Sequence, residues 1–304
     1  MGGGSRIKQY ERRFYEGEQT REKGEDEAFH VVRTFGKYEV REAKGGGYEL
    51  LKSGEVIGIF SKAKIEEDRI VFQLSHGMNL EVSEKGIREL LTPEKAELCG
   101  LIASDGYIRR YREVKGKGAI YEVSLTTVDK ELVDVFVKLS QEIYNITPHC
   151  YLKYHGTKEG KKEHYEVAIF SKKVVNDLWN LGIKGPRRYE FHPPLKHLDE
   201  EGMKAFLRGF FSGDGSVSVT EKGRYIRISS SCEECLREVR EIFISLGFHP
   251  YEIYEDRENR HVFAIPKEEH LRFIEEIGSE KQKHISRFEL IKQMEEKSRE
   301  EKQQ

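Results

Sequence analysis

Several features are missing from this sequence, and each absence closes off a class of protein. No apolar run approaches the roughly 20 residues that a membrane-spanning helix needs, and no apolar core of a secretion signal opens the chain. A cytoplasmic location is the expectation, nucleoid-associated if the partner is DNA. Cysteine is scarce: the four residues Cys99, Cys150, Cys232 and Cys235 are too few and too scattered for a disulfide framework, which suits a reducing compartment. The 11 histidines form no H-E-x-x-H or comparable metal-binding spacing. A strong net charge is missing too: 52 Lys and Arg meet 54 Asp and Glu, a formal charge of −2, so overall charge does not mark a binder of polyanions.

What is present is a heavily ionised globular chain, 35% charged and 37% hydrophobic over 304 residues, long enough for more than one core. Its charge is uneven. Residues 107–190 carry 16 Lys and Arg against 11 Asp and Glu, whereas residues 1–92 carry 16 against 17. A basic surface is therefore expected mid-chain. The opening MGGGS reads as a non-native leader, and residues 5–27 as a polar arm or an exposed helix. From residue 28 the pattern alternates as strands do, broken by Gly45-Gly46-Gly47, Gly54 and Gly77, which predicts a small β-rich domain over residues 1–91 with no chemical motif.

Beyond it the chain repeats itself. Thr92-Pro93-Glu94 is a helix start, with Thr to cap orphan N–H groups, Pro at the first helical position and Glu at the positive dipole end. The run "LCGLIASDG" that follows matches "LRGFFSGDG", pairing Leu98 with Leu207, Gly100 with Gly209, Asp105 with Asp214 and Gly106 with Gly215. After each copy the pattern predicts strand, strand, helix, strand, strand, helix. Both halves read αββαββα, which predicts a pseudo-twofold α+β architecture with repeats at 92–197 and 198–304, the second carrying a helical tail.

Small residues at helical spacing, Gly100, Ala103 and Ser104 in one copy and Gly209, Ser212 and Gly213 in the other, predict two helices packed almost backbone to backbone. Asp105 and Asp214 would then meet at the negative dipole ends of both helices. Such a pair is electrostatically poor unless a divalent cation sits there, so both aspartates are candidate metal ligands.

The two spaced motifs resemble the paired signature of the LAGLIDADG homing endonucleases, in their single-chain, two-repeat form. The resemblance covers about residues 93–290. It implies saddle-shaped antiparallel sheets over the DNA major groove, Mg²⁺ or another divalent cation held by Asp105 and Asp214, and the backbone carbonyls of Ser104 and Gly213 facing the metal. It also implies a basic residue after the last helix of each repeat, for which the sequence offers Lys184 and Lys281, with Lys283 as a competitor. Near Thr127 and Ser231, where the family often has Gln or Lys, this chain is not basic.

Arg109, Arg110, Arg112, Lys115, Lys117, Arg224 and Arg227 lie on predicted strands or the turn between them, as groove-reading and phosphate-binding residues do. Cys232-x-x-Cys235 has no second cysteine pair and no histidine at finger spacing, while Ser231 and Glu234 stand as N-cap and N3 of a capping box, so the motif is given a structural reading. The expectation is a monomeric, site-specific endonuclease making metal-dependent double-strand cuts in a long DNA target, as in intron homing. The alternative is a LAGLIDADG protein without strong cleavage, acting as a splicing maturase on intron RNA or as a DNA-binding regulator. A standalone intein is not expected, since the chain neither opens on Cys or Ser nor closes on Asn.

Overall fold

The structure, a computed structural model, describes residues 30–111, 119–157, 160–184, 191–221 and 223–301. The chain forms two compact units, Met1–Leu90 and Leu91–Gln304.

The described part of the first unit is all strand. β1 (Val31–Phe35), β2 (Tyr38–Glu42), β3 (Tyr48–Lys52) and β4 (Glu55–Phe60) form one four-stranded antiparallel meander, and β5 (Ala63–Ile65), β6 (Arg69–Gln73), β7 (Met78–Ser83) and β8 (Gly86–Leu91) form a second. Alternation sends Phe35, Val40, Leu50, Ile70, Phe72 and Val82 inward to one core, where Phe60 stacks on Phe72 at 4.2 Å between ring centroids. The β3–β4 reversal is Ser53-Gly54, both at positive φ, as a tight hairpin of right-handed twist requires.

The second unit contains both repeats. The first comprises α1 (Pro93–Asp105), β9 (Gly106–Tyr111), β10 (Ile120–Thr127), α2 (Lys130–Tyr144), β11 (His149–Thr157), β12 (Gly160–Ile169) and α3 (Lys172–Asn180). The second comprises α4 (Glu200–Asp214), β13 (Gly215–Thr220), β14 (Gly223–Ser230), α5 (Glu233–Ser245), β15 (Tyr254–Glu255), β16 (His261–Ile265) and α6 (His270–Glu276), followed by α7 (Gln282–Glu301). Their sheets have the same antiparallel order, β9-β10-β12-β11 and β13-β14-β16-β15. The strand over 250–255 contracts to β15. Pro250 offers no N–H, and one bond from Tyr251 N to Ala264 O is the pairing that stretch makes before Tyr254.

α1 and α4 lie at the centre of this unit, and both begin as their sequences specify: Thr92 Oγ accepts from Lys95 N, and Asp199 Oδ1 accepts from Gly202 N at 2.8 Å. Leu98, Cys99, Leu101, Ala205, Phe206 and Phe210 are buried. The helices cross at their glycines. A methyl group on Gly100 would collide with the carbonyl of Phe206, and one on Gly209 with the carbonyl of Glu97 while lying 2.8 Å from Leu101 N. The symmetry of these two collisions is the pseudo-twofold axis.

Gly209→Ala is therefore expected to force two backbones apart and to cost about 1–3 kcal/mol of stability, with a lowered melting temperature by calorimetry. An unshifted transition would mean that the helices are not in backbone contact.

Candidate functional site

Both helices end abruptly at their aspartates because Gly106 and Gly215 leave the helix in extended conformation and run directly into β9 and β13. A side chain at either glycine would strike the preceding turn, Ile102 in one repeat and Phe211 in the other. The parallel packing carries Asp105 and Asp214 to the same end of the pair. A methyl group on Gly213 would collide with Ser104 Oγ and come within 3.4 Å of Asp105 Cγ, so the carboxylate of one repeat lies against the backbone that precedes the carboxylate of the other.

The loop between α6 and α7 wraps this end. Lys281 Nζ donates to the carbonyl of Gly213 at 3.1 Å and pairs with Asp129 Oδ2 at 3.3 Å. Ser212 Oγ accepts from Glu280 N at 2.8 Å and meets Ser279 Oγ at 3.3 Å, while Glu131 Oε1 accepts from Gln282 N at 2.9 Å. Lys283 is exposed, so of the two candidate lysines Lys281 is the one brought to the backbone that precedes Asp214. Lys184 is exposed, two residues after the turn at Gly182.

Beneath the loop, Arg208 Nη1 lies 3.5 Å from Glu97 Oε2 and Arg208 Nε donates to Ile277 O. Burial first, and the nearby Glu280 carboxylate second, push the Glu97 carboxyl up to about 7, against the lowering pull of Arg208. Burial likewise pushes His284 down to about 4, helped by Lys281, with its ring nitrogen Nδ1 2.9 Å from Ser279 Oγ.

On the open face of the second sheet a cavity of about 280 Å³ is lined by Asp214, Ser216, Arg227, Tyr254 and Arg260, among others. Arg227 lies over the Tyr225 ring at 4.6 Å. Arg224 does not belong to this face: alternation turns it inward with Ile226 and Ile228, where it is buried and paired with Glu295 of α7. In the first sheet Arg109 faces outward and pairs with Glu122 at 3.2 Å. Arg110 falls on the helix side with Ile108 and lies over the Trp179 ring at 5.3 Å, which removes it from a groove-facing set. Arg112, Lys115 and Lys117 lie outside the described residues.

The Cys232 region also differs from its sequence reading. α5 is capped by Cys232, whose Sγ accepts from Cys235 N at 3.2 Å, and not by Ser231; Cys232 and Cys235 form a disulfide. Strand register explains the shift. Leu125 opposes Gly106 and Ile228 opposes Gly215, so Thr127 corresponds to Ser230 and the helix caps Asp129 and Cys232 correspond to each other.

The donors at the paired helix ends are hard oxygens, two carboxylates and the Gly213 carbonyl, which suit Mg²⁺, Mn²⁺ or Ca²⁺ and not a soft metal. Among the described residues no group of three or more His, Cys, Asp or Glu side chains could enclose an ion. A donor set of this size fits a cation that takes its remaining ligands from water and phosphate, as Mg²⁺ commonly does.

The profile of the LAGLIDADG-like domain matches residues 92–178 and 201–278. The chain belongs to the LAGLIDADG family. Its two copies of the domain coincide with the two repeats. Among curated relatives, an uncharacterized protein of Methanocaldococcus jannaschii is 24% identical over 55% of this chain and 59% of its own length, and a probable cell division protein WhiA of Lactococcus lactis is 26% identical over 62% of each. The LAGLIDADG chain thus spans about three fifths of these relatives' length. Among solved structures it is similar to I-DmoI in complex with DNA and Mn, 21% identical over 61% of this chain and 96% of that one, with a TM-score of 0.46.

The raised Glu97 gives a pH signature. A carboxyl that holds its proton more tightly when folded adds stability at low pH and loses it as pH rises from its ordinary 4.5 toward about 7. Glu97→Gln is neutral throughout, so its stability relative to the native chain should rise between pH 5 and pH 8 in denaturant titrations. A difference independent of pH would mean that burial does not displace the Glu97 carboxyl.

Proposed function

We propose that this chain is a site-specific, divalent-metal-dependent endonuclease of the homing type, cutting both strands of double-stranded DNA as a monomer. The observation that carries the reading is the convergence of Asp105 and Asp214, one from each repeat, at the same end of the α1–α4 pair. Family membership supports it. Two carboxylates held at two negative helix ends are poorly placed for stability alone, and they suit a site that gathers cations onto a phosphodiester.

Asp105 and Asp214, with the carbonyls of Ser104 and Gly213, would hold the metal, for which Mg²⁺ is the choice the oxygen donors favour. When bound, a divalent cation acidifies a water nucleophile and neutralises charge on the phosphate and the leaving 3′-oxygen. Lys281 supports the same phosphate or its water through an ammonium group held at the Gly213 carbonyl, and Lys184 is the corresponding candidate in the other half. Arg227 and Arg109 face outward on their sheets and are suited to base edges or phosphates, with Arg112, Lys115 and Lys117 as further candidates by sequence. Much of the affinity would come from phosphate contacts, so binding should weaken steeply with salt.

A second reading, a maturase or DNA-binding regulator that cleaves weakly, is favoured by Thr127 and Ser230. They lie at or beside the positions near Thr127 and Ser231 where the family often carries Gln or Lys, and their hydroxyls hold the turns before α2 and α5. A randomised plasmid library incubated with the protein and Mg²⁺ separates the two readings: linearised plasmids carrying one recurrent site support the nuclease, and retention of DNA without cleavage supports the regulator.

On that recovered site, Asp105→Asn and Asp214→Asn should each lower double-strand cleavage by about 10²-fold or more, with DNA affinity in EDTA nearly unchanged, since each loses a ligand worth several kcal/mol in the transition state. Full activity in either variant would remove the metal-site assignment.

A further inference from the structure

Asp129 stands at the N-cap of α2, the position where an aspartate ordinarily accepts hydrogen bonds from its own helix. It does not do so here: its side chain makes no capping bond. The backbone turn is held instead by Thr127, whose Oγ1 accepts from Asp129 N at 3.1 Å. The Asp129 carboxylate is thereby released toward the other repeat, where it lies 3.3 Å from Lys281 Nζ, with the lysine side chain 14% and the aspartate 24% exposed. Two residues along the same helix, Glu131 accepts from the backbone of Gln282. The start of α2 in the first repeat therefore grips both the side chain of Lys281 and the loop that carries it.

The pseudo-twofold counterpart does something else. Cys232 has the same turn, with Ser230 Oγ accepting from Cys232 N at 3.2 Å, but its sulfur caps its own helix and is bonded to Cys235. It has no carboxylate to offer across the axis. One position in the repeat, two uses: among the described residues, the carboxylate that holds a lysine at this position is found in the first repeat and not in the second.

We propose that Asp129 is the positioning residue for Lys281, and that through it the first repeat sets the competence of the cleavage site around Asp214, making the two halves unequal. The proposal rests on the nuclease reading for its consequence and on the tether itself for its geometry. A lysine carries a flexible four-carbon stem and loses much rotamer freedom when fixed. With acceptors on two sides, the Gly213 carbonyl and the Asp129 carboxylate, the ammonium is held beside Asp214 before any substrate arrives, and misplacement by about 1 Å is enough to cost up to 10²-fold in rate. Asp129 touches neither substrate nor metal in this scheme and acts through Lys281.

The test uses the full chain and two substitutions that both preserve good N-cap residues. Asp129→Ser removes charge and reach, and Asp129→Asn removes charge but keeps an acceptor. The first readout needs neither DNA nor metal: reductive methylation by formaldehyde and cyanoborohydride, followed by mass spectrometry, with exposed Lys283 as internal reference. Lys281 should react several-fold faster in Asp129→Ser than in the native chain, with Asn intermediate and circular dichroism unchanged. Equal reaction rates would overturn the tether. The second readout is strand-resolved, single-turnover cleavage of the site recovered from the plasmid library. Asp129→Ser should slow one strand by about tenfold and leave nicked DNA, with affinity in EDTA preserved. Slowing of both strands alike, or of neither, would overturn the positioning role. If the library yields no site, the nuclease reading falls, while the methylation rates still decide whether Asp129 holds Lys281.

Discussion

The contact between α1 and α4 sets the geometry of everything that follows in the second unit. At Gly100 and Gly209 the helices approach until the backbone of each fills the space where the other would carry a side chain. So close an approach leaves little freedom of slide or rotation, because interiors pack at the density of organic crystals. The position of Asp105 relative to Asp214 is therefore a property of two glycines more than one helical turn upstream. The same approach places Gly213 against Ser104 and Asp105, where small side chains are needed again.

Around this shared axis the repeats have diverged in chemistry while keeping their topology. In the first, Lys95 of α1 is fully buried, paired with Asp177 of α3 and lying 5.4 Å above the Tyr144 ring, while Tyr144 donates to the same carboxylate at 2.8 Å. Burial of Cys99 beside this cluster pushes its thiol up to about 12, which makes it inert. In the second repeat the matching Lys204 is nearer solvent and shares Glu200, Glu201 and Glu276, and the position of Cys99 is taken by Arg208, which reaches Glu97 across the axis. One helix start is held by an ion pair whose lysine is fully buried and would be costly to leave unpaired, the other by a wetter network that costs less to break.

The same divergence reaches the candidate site. The Asp214 side has Lys281 at the Gly213 carbonyl and Arg227 in the adjoining cavity, whereas register puts Ser124 in the first repeat at the position of Arg227. Ion pairs on the open faces, Arg109 with Glu122 and Lys153 with Glu166, further distinguish one sheet from the other. A single chain permits this, because two covalently joined repeats are free to differ in sequence, as two identical subunits are not.

Local rules made much of this legible in sequence. The double motif, the helix start at Thr92, and the strand alternation all depend on neighbours within a turn or a hairpin, and the recurrence of Gly and Asp at matched spacing announced both the packed helices and their carboxylates. The distinction between Lys281 and Lys283, the inward turn of Arg224 to Glu295 and the lodging of Arg110 on Trp179 needed strand register and the positions of α7 and α3. The Ser231 cap was misread by one residue because only the β13–β14 pairing equates Ser230 with Thr127. Asp129 is the clearest case. Its sequence context says helix cap, and local physics would make it one; it faces Lys281 because a chain segment about 150 residues away is folded against it, and no periodicity within either segment encodes that meeting.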